Sequence, residues 1–361
     1  MSIGRMRVCL LALLLSVLPP VLFSGTAALA QTAAEKLYAQ LAKLPEKERN
    51  EKIISGAKKE GEINLITSLR GKLGRDHIAL FRSRYPFLKV NMSEMGSQDA
   101  AERLFAEETA GRHLTDVIGL GVPDMAELIS RDIAANYPTP ATRRILKQYR
   151  EFIDPQNRWT TWSQSEHGIA YNTNLIKDPP KSYQELCDPK YKGKISFEPM
   201  ETRFLVGLYY LFDKNLEKVG SWLECIGKNK PIIQRGHTAR EQLMLSGDHA
   251  ISPDQYLYHG TLLRHKNPKV PFAADYLTPV MVYAQANVIN KNTPHPYSAA
   301  LFADWCLSSE SQRYMARNYR GPVADKHPYF PDDVKLVPFN FVNNDIVDKL
   351  QNLWSEYVGK R

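Results

Sequence analysis

The chain has 361 residues, 43% of them apolar and 24% charged, with a formal net charge of +8. That apolar share can fill a substantial core. The basic residues are scattered without a long Lys/Arg run, which argues against a nucleic-acid partner and for attraction of small anions.

Residues 1–30 read "MSIGRMRVCLLALLLSVLPPVLFSGTAALA". Arg5 and Arg7 precede an apolar run from Val8 to Phe23, broken by Pro19 and Pro20, and "ALA" at 28–30 is a small-x-small site. This pattern predicts a signal peptide cleaved after Ala30 and export to the periplasm. Removing thirty residues, two of them arginine and none acidic, leaves 331 residues and a net charge of +6. No later stretch approaches 18 uninterrupted apolar residues, so the mature protein is expected to be soluble. Cys187, Cys225 and Cys306 remain, none at CxxC or zinc-site spacing. Export allows a Cys187–Cys225 bridge. Cys306, in "SAALFADWCLSS", reads as a small buried hydrophobe.

In chain order, residues 31–60 predict a helical lead-in, and Gly61 turns it into a strand at Ile63–Ile66. "DHIALFRSRYP" predicts a helix stopped by Pro86, and "LKVNMSE" a second strand. "DAAERLFAEETAGR" is a helix, "TDVIGLG" a third strand, and "VPDMAELISRD" opens a further helix. A Pro/Arg-rich connection covers roughly 137–160, and "EHGIAYNTNLI" resumes extended structure. "YQELCDPKYKGKISFEP" predicts a helix, a turn at Gly193 and a strand. A long helical stretch follows, then αβ structure through "SGDHAISPDQYLYHG", a β-rich return from Pro279, and a helix over "PYSAALFADWC". Strands alternating with amphipathic helices predict an α/β fold with largely parallel sheets.

The order of "GEINLITS", "FRSRYPFLKV", "EETAGRHLTDVI", "HGIAYNTNLI", "DPKYKGKI", "SGDHAI" and "NTPHPYSAALFADWCLSSESQ" resembles the periplasmic solute-binding proteins of bacterial ABC importers. Within them it resembles the subgroup related to ferric-ion-binding proteins. The resemblance implies a type II periplasmic-binding fold: two α/β lobes, each a mixed, mostly parallel sheet flanked by helices, with a cleft between them. By it, lobe one is 31–165 plus 287–361 and lobe two 166–286. It implies hinge closure over a small-molecule solute, delivery to ABC permease membrane subunits, a monomer, no cofactor and no catalysis.

Ligands of open α/β sheets bind beyond the carboxyl ends of strands, where helix N-termini favour anions. That rule selects Thr67 and Ser68 after the first strand, and Ser97 and Gln98 after the second, and the resemblance places Arg70 in the first-strand loop as well. In lobe two the rule selects Thr202, Arg203 and Arg235, and the resemblance places Tyr256 and Tyr258 at the cleft. The resemblance to ferric-binding proteins implies an adjacent tyrosine pair after "SGDHAI", a His after the first strand and an acid after the third. Here Leu257 separates Tyr256 from Tyr258, Arg70 stands near the His position, and Gly121 near the acidic one, with Asp116 and Asp124 close by. Arginine does not ligate iron but pairs with carboxylate or phosphate. The expected solute is therefore an organic or phosphorylated anion, with ferric iron as the alternative and no metal ligand assigned. Glu198 and Glu201 would oppose an anion unless paired. Extended backbone would aim both tyrosines at one spot, whereas a helix starting between them would turn them apart.

No phosphate loop, HExxH or GxSxG occurs, and "GLGVPD" lacks the third glycine of a dinucleotide fingerprint. Cys187 has no base in view. An enzyme on the same scaffold and a sensor module for a membrane receptor are the readings from other classes.

Overall fold

The structure is a computed structural model that describes residues 31–327, 333–340 and 342–359. Residues 1–30, on which the signal-peptide expectation falls, lie outside the described residues. Among the described residues no helix is long and apolar enough to cross a membrane.

Thr32 and Glu35 form a capping box that starts α1 (Ala33–Leu41). Helix α2 (Glu46–Glu60) ends at Gly61, whose φ of 74° supplies the left-handed turn into β1 (Glu62–Thr67). Helix α3 (Gly71–Arg84) stops before Pro86, whose ring disfavours helix in the residue preceding it. β2 (Lys89–Glu94), α4 (Ser97–Thr109) and β3 (Val117–Gly121) follow, and β1 pairs in parallel with both β2 and β3. These are the successive βα units the periodicity predicts. Beyond β3 the helix expected to open at "VPDMAELISRD" begins as a 3-10 turn, Val122–Asp124, and continues as the short α5 (Ala126–Ser130).

Every residue of β4 (Thr160–Asn172) is buried. The expected helix at "YQELC" is two 3-10 turns broken at Asp188–Pro189. Then come β5 (Ser196–Phe197), α6 (Thr202–Leu211), α7 (Leu216–Lys228), β6 (Ile232–Ile233), α8 (His237–Ser246), β7 (Ile251–Tyr256), α9 (Leu257–Lys266) and β8 (Phe272–Asp275). The chain returns through β9 (Val280–Ile289) to α10 (Pro296–Cys306), α11 (Ser309–Arg317) and β10 (Gly321–Pro322), and closes with β11 (Leu336–Phe339) and α12 (Asn344–Tyr357).

Two long strands join the halves. The first part of β4, Thr160–Glu166, runs antiparallel to β9, whereas His167–Asn172 pair with β7 and β8. In turn β9 pairs with β3 at one end and with β11 at the other. Among the described residues two large apolar cores result, with a small third cluster of Ala170, Met244 and Phe272. One gathers β1–β3 with α10 and α11; the other centres on Phe197, Phe204, Trp222 and Tyr256. The molecule is thus a bilobal α/β protein whose strands β4 and β9 pass between lobes.

The C-terminal end of the chain departs from its expected lobe. Leu350, Trp354 and Val358 enter the second core, and Trp354 meets Phe197 edge-on at 5.4 Å. Helix α12 therefore buries its apolar stripe on α6 and α7 of lobe two, not on lobe one. A disulfide joins the half-buried Cys187 and Cys225 at the margin of the second core, with Cα atoms 5.5 Å apart. Cys306 is a free, buried thiol accepting a hydrogen bond from Asn287, and burial raises its pKa.

Candidate functional site

A cavity of about 530 Å³ opens between the lobes. Lobe one contributes Ser68 and Arg70 at the β1–α3 turn, Gly96 ahead of α4, and Arg320 after α11. Lobe two contributes Glu198 and Glu201 ahead of α6, Arg203 within it, His237 at the start of α8, and Tyr256 and Tyr258. The crossing strands supply Trp162, Ser163, Ser165, Tyr283 and Gln285.

The helix does begin between the two tyrosines, yet they do not part. Tyr256 ends β7 and Tyr258 lies in the first turn of α9, with ring centroids 5.9 Å apart and planes 20° from parallel. Leu257 is the residue that turns away. It is 2% exposed, and a Cβ at Gly168 would lie 2.1 Å from its Cδ2. The change from strand to helix at one residue keeps both phenols on the cleft and buries the leucine between them.

Tyr256 is the hub. Its hydroxyl donates to Glu201 Oε1 at 2.8 Å and accepts from Arg203 Nη1 at 3.1 Å, while the Tyr283 hydroxyl donates to it at 3.3 Å. Burial, with Glu201 and Tyr283 adding to it, holds the Tyr256 phenol well above its usual pKa; Arg203 acts the other way. Glu201 is in turn flanked by His237 Nε2 at 3.4 Å and by His167 Nε2 at 3.9 Å. Burial would raise its pKa, but the two histidines outweigh that and hold it well below the usual carboxylate range. His237 is fixed by Gln255 Oε1 at 3.1 Å and Arg240 Nη2 at 2.8 Å from its Nδ1. Arg203 also reaches across the cleft floor to Asp124 of lobe one, Nη2 to Oδ2 at 2.8 Å. The Arg320 guanidinium lies 3.9 Å from the centroid of the Tyr258 ring, a cation–π contact between lobes.

Five residues named from sequence therefore meet around the cavity: Ser68, Arg70, Arg203, Tyr256 and Tyr258. Thr67 points elsewhere, its hydroxyl accepting from Leu69 N. The Thr202 hydroxyl accepts from Gln351 of α12. Arg235 is exposed and does not line the cavity. The side chains of Ser97 and Gln98 lie outside the described residues; their backbone opens α4. The two cautionary glutamates are both in the cavity, and both are paired: Glu198 accepts from Gly236 N at 2.6 Å. Asp116 is buried inside lobe one, bonded to Asn64, Thr293 and His295, and does not line the cavity.

Sequence reasoning passed over Tyr283, His237 and Arg320. Tyr283 and Gln285 were legible in principle, since alternate residues of β9 share a face. Nothing in the sequence marks Arg320. Among the described residues no group of three or more His, Cys, Asp or Glu side chains is arranged to hold a metal ion.

The family model for bacterial extracellular solute-binding proteins matches residues 114–350. The chain belongs to that family. It is a solute-binding protein of the periplasmic, ABC-importer type, similar to ferric-binding proteins. Iron uptake protein A1 of Synechocystis sp. is 24% identical to the solute-binding protein over 280 residues, 73% of this chain and 76% of the relative. Iron-bound HitA from Pseudomonas aeruginosa superposes with a TM-score of 0.70 at 19% identity, covering 82% of this chain and 99% of its own. AfuA from Actinobacillus pleuropneumoniae, solved with fructose-6-phosphate, also gives 0.70, at 18% identity, over 83% and 99% of the two chains.

Proposed function

We propose that this protein captures ferric iron in the periplasm, together with a small polycarboxylate such as citrate, and hands it to an ABC permease. This reverses the order of the two solutes expected from sequence. The observation that carries it is the spacing of the Tyr256, Tyr283 and Glu201 oxygens. Separations of 2.8 and 3.3 Å, hydrogen-bond distances while the phenols are protonated, bring the three oxygens close enough to converge on one hard cation once those protons leave. Phenolate and carboxylate oxygens suit such a cation. The related iron uptake protein and iron-bound HitA support the same reading.

A bare ion would leave most of a cavity of about 530 Å³ unfilled. Arg70 and Arg320 on the lobe-one wall suit the carboxylates of an accompanying anion. The same arginines support a second reading, an organic or phosphorylated anion without metal, to which the likeness to AfuA lends weight.

The two readings separate in one experiment. Calorimetry with ferric citrate, citrate alone and fructose 6-phosphate is expected to give tight binding and a visible phenolate-to-iron colour with ferric citrate alone. Equal binding of a metal-free anion, without colour, would replace the iron reading with the anion one.

A further inference from the structure

We propose that Asp124 determines which class of solute this cleft accepts, by occupying Arg203 and leaving the phenol end of the cavity open to a cation. The inference rests on the ferric reading and deepens it. Asp124 ends the 3-10 turn after β3, in lobe one, and is not itself part of the cavity wall. Its carboxylate grips Arg203 of α6, in lobe two, through Nη2 at 2.8 Å and Nε at 3.0 Å. The remaining nitrogen, Nη1, points to the Tyr256 hydroxyl at 3.1 Å, and the guanidinium lies 5.8 Å from the centroid of the Tyr283 ring. A permanent cation therefore sits beside the oxygens that are to hold another cation.

Standing alone, that guanidinium would repel a metal ion and attract an anion at short range in a partly desolvated site. It does not stand alone. The carboxylate cancels its charge and occupies the two donors that would otherwise fork onto a carboxylate or phosphate. The chain leaves room for this arrangement. A Cβ at Gly121 would come within 3.2 Å of Asp124 Oδ2 and 3.0 Å of the Tyr283 ring. The same arginine that reads as an anion binder in the sequence is thereby turned into a support for Tyr256.

The test compares two probes on one protein: ferric ion supplied as nitrilotriacetate, and inorganic phosphate without metal. Asp124→Asn is expected to lower iron affinity about tenfold or more and to raise phosphate affinity by a similar factor, since a freed guanidinium forks onto phosphate. Asp124→Glu keeps the charge and is expected to restore the wild-type order. In an Arg203→Gln background, Asp124→Asn should add little, because both act through one contact. A purely structural role would lower both affinities together, and that result, or no change in either, overturns the proposal. If the wild type takes up no iron, the ferric reading fails, and the gain in phosphate affinity alone then decides the role of Asp124.

Discussion

Three residues in a row show how little sequence separates a ligand from a packing group. Tyr256 and Tyr258 face the cleft, and Leu257 anchors α9 in the core of lobe two. Tyr256 holds the central position, touching Glu201, Arg203 and Tyr283 at once. Tyr256→Phe removes that oxygen and little volume. Even partners of a metal ligand are worth 10–100-fold in affinity, so loss of this phenol is expected to weaken iron binding about 100-fold, with a weaker visible band. Retained affinity and colour would remove Tyr256 from the donor set. The phenol is protonated because burial, Glu201 and Tyr283 raise its pKa. Iron must displace that proton, so affinity rises with pH and falls in acid, by about tenfold per pH unit for each proton released. Titrations between about pH 5.5 and about pH 7.5 check the slope. The ring of partners was not legible beforehand, because α6, β7 and β9 bring together residues that stand 27 to 55 positions apart. Arg203 was expected from the sequence as a cleft residue with its charge available; it lines the cavity, but its charge is paired. Its partner, Asp124, lies on the opposite lobe, and no local pattern links the two.

At the scale of elements, local signals served well where one element follows another. Gly61, Pro86 and the alternation of strand and helix gave β1, α3, β2, α4 and β3 close to their observed limits. They served poorly where the partner is distant. The single strand β4 reads as a loop and then an extended run, since its two halves belong to different sheets. The register shift in the β4–β7 ladder falls at Gly168, and the position has no room for a side chain. A Cβ there would lie 2.1 Å from Leu257 Cδ2 and 2.7 Å from the Asp275 carbonyl oxygen of β8. The leucine tip can swing, but the carbonyl belongs to a paired strand. Gly168→Ala is therefore expected to cost about 1–3 kcal/mol of stability, as overpacked cores do. It should also weaken solute binding, because Leu257 fixes the first turn of α9 and hence Tyr258. Denaturant unfolding and calorimetry on the same samples check both parts. Normal binding in a destabilised variant would show that α9 is positioned by other contacts.

At the scale of the whole molecule, β4, β9 and the chain between β10 and α12 connect the lobes covalently, and side chains fasten the lobes away from β4 and β9. One fastener is Asp124–Arg203. The others lie at the far rim, on two adjacent residues after α11. Tyr319 and His265 Nδ1 are hydrogen-bonded at 3.0 Å, and Arg320 covers the Tyr258 ring. Tyr319 holds a φ of 56°, a left-handed conformation that costs an aromatic residue energy and that its surroundings must enforce. This places Arg320, 8% exposed, between lobe one and a tyrosine of the solute site. An arginine so placed restrains opening more than entry, and affinity changes within one binding site appear mostly in the off-rate. Arg320→Ala is accordingly expected to speed release of ferric citrate by about tenfold, with the association rate changed much less. Tyr319→Phe, which loses only the bond to His265, should give a smaller acceleration in the same direction. Stopped-flow release into a competing chelator measures both. Equal release from wild type and Arg320→Ala would mean that lobe closure is carried by β4, β9 and the Asp124–Arg203 pair, with the rim contact contributing nothing to retention.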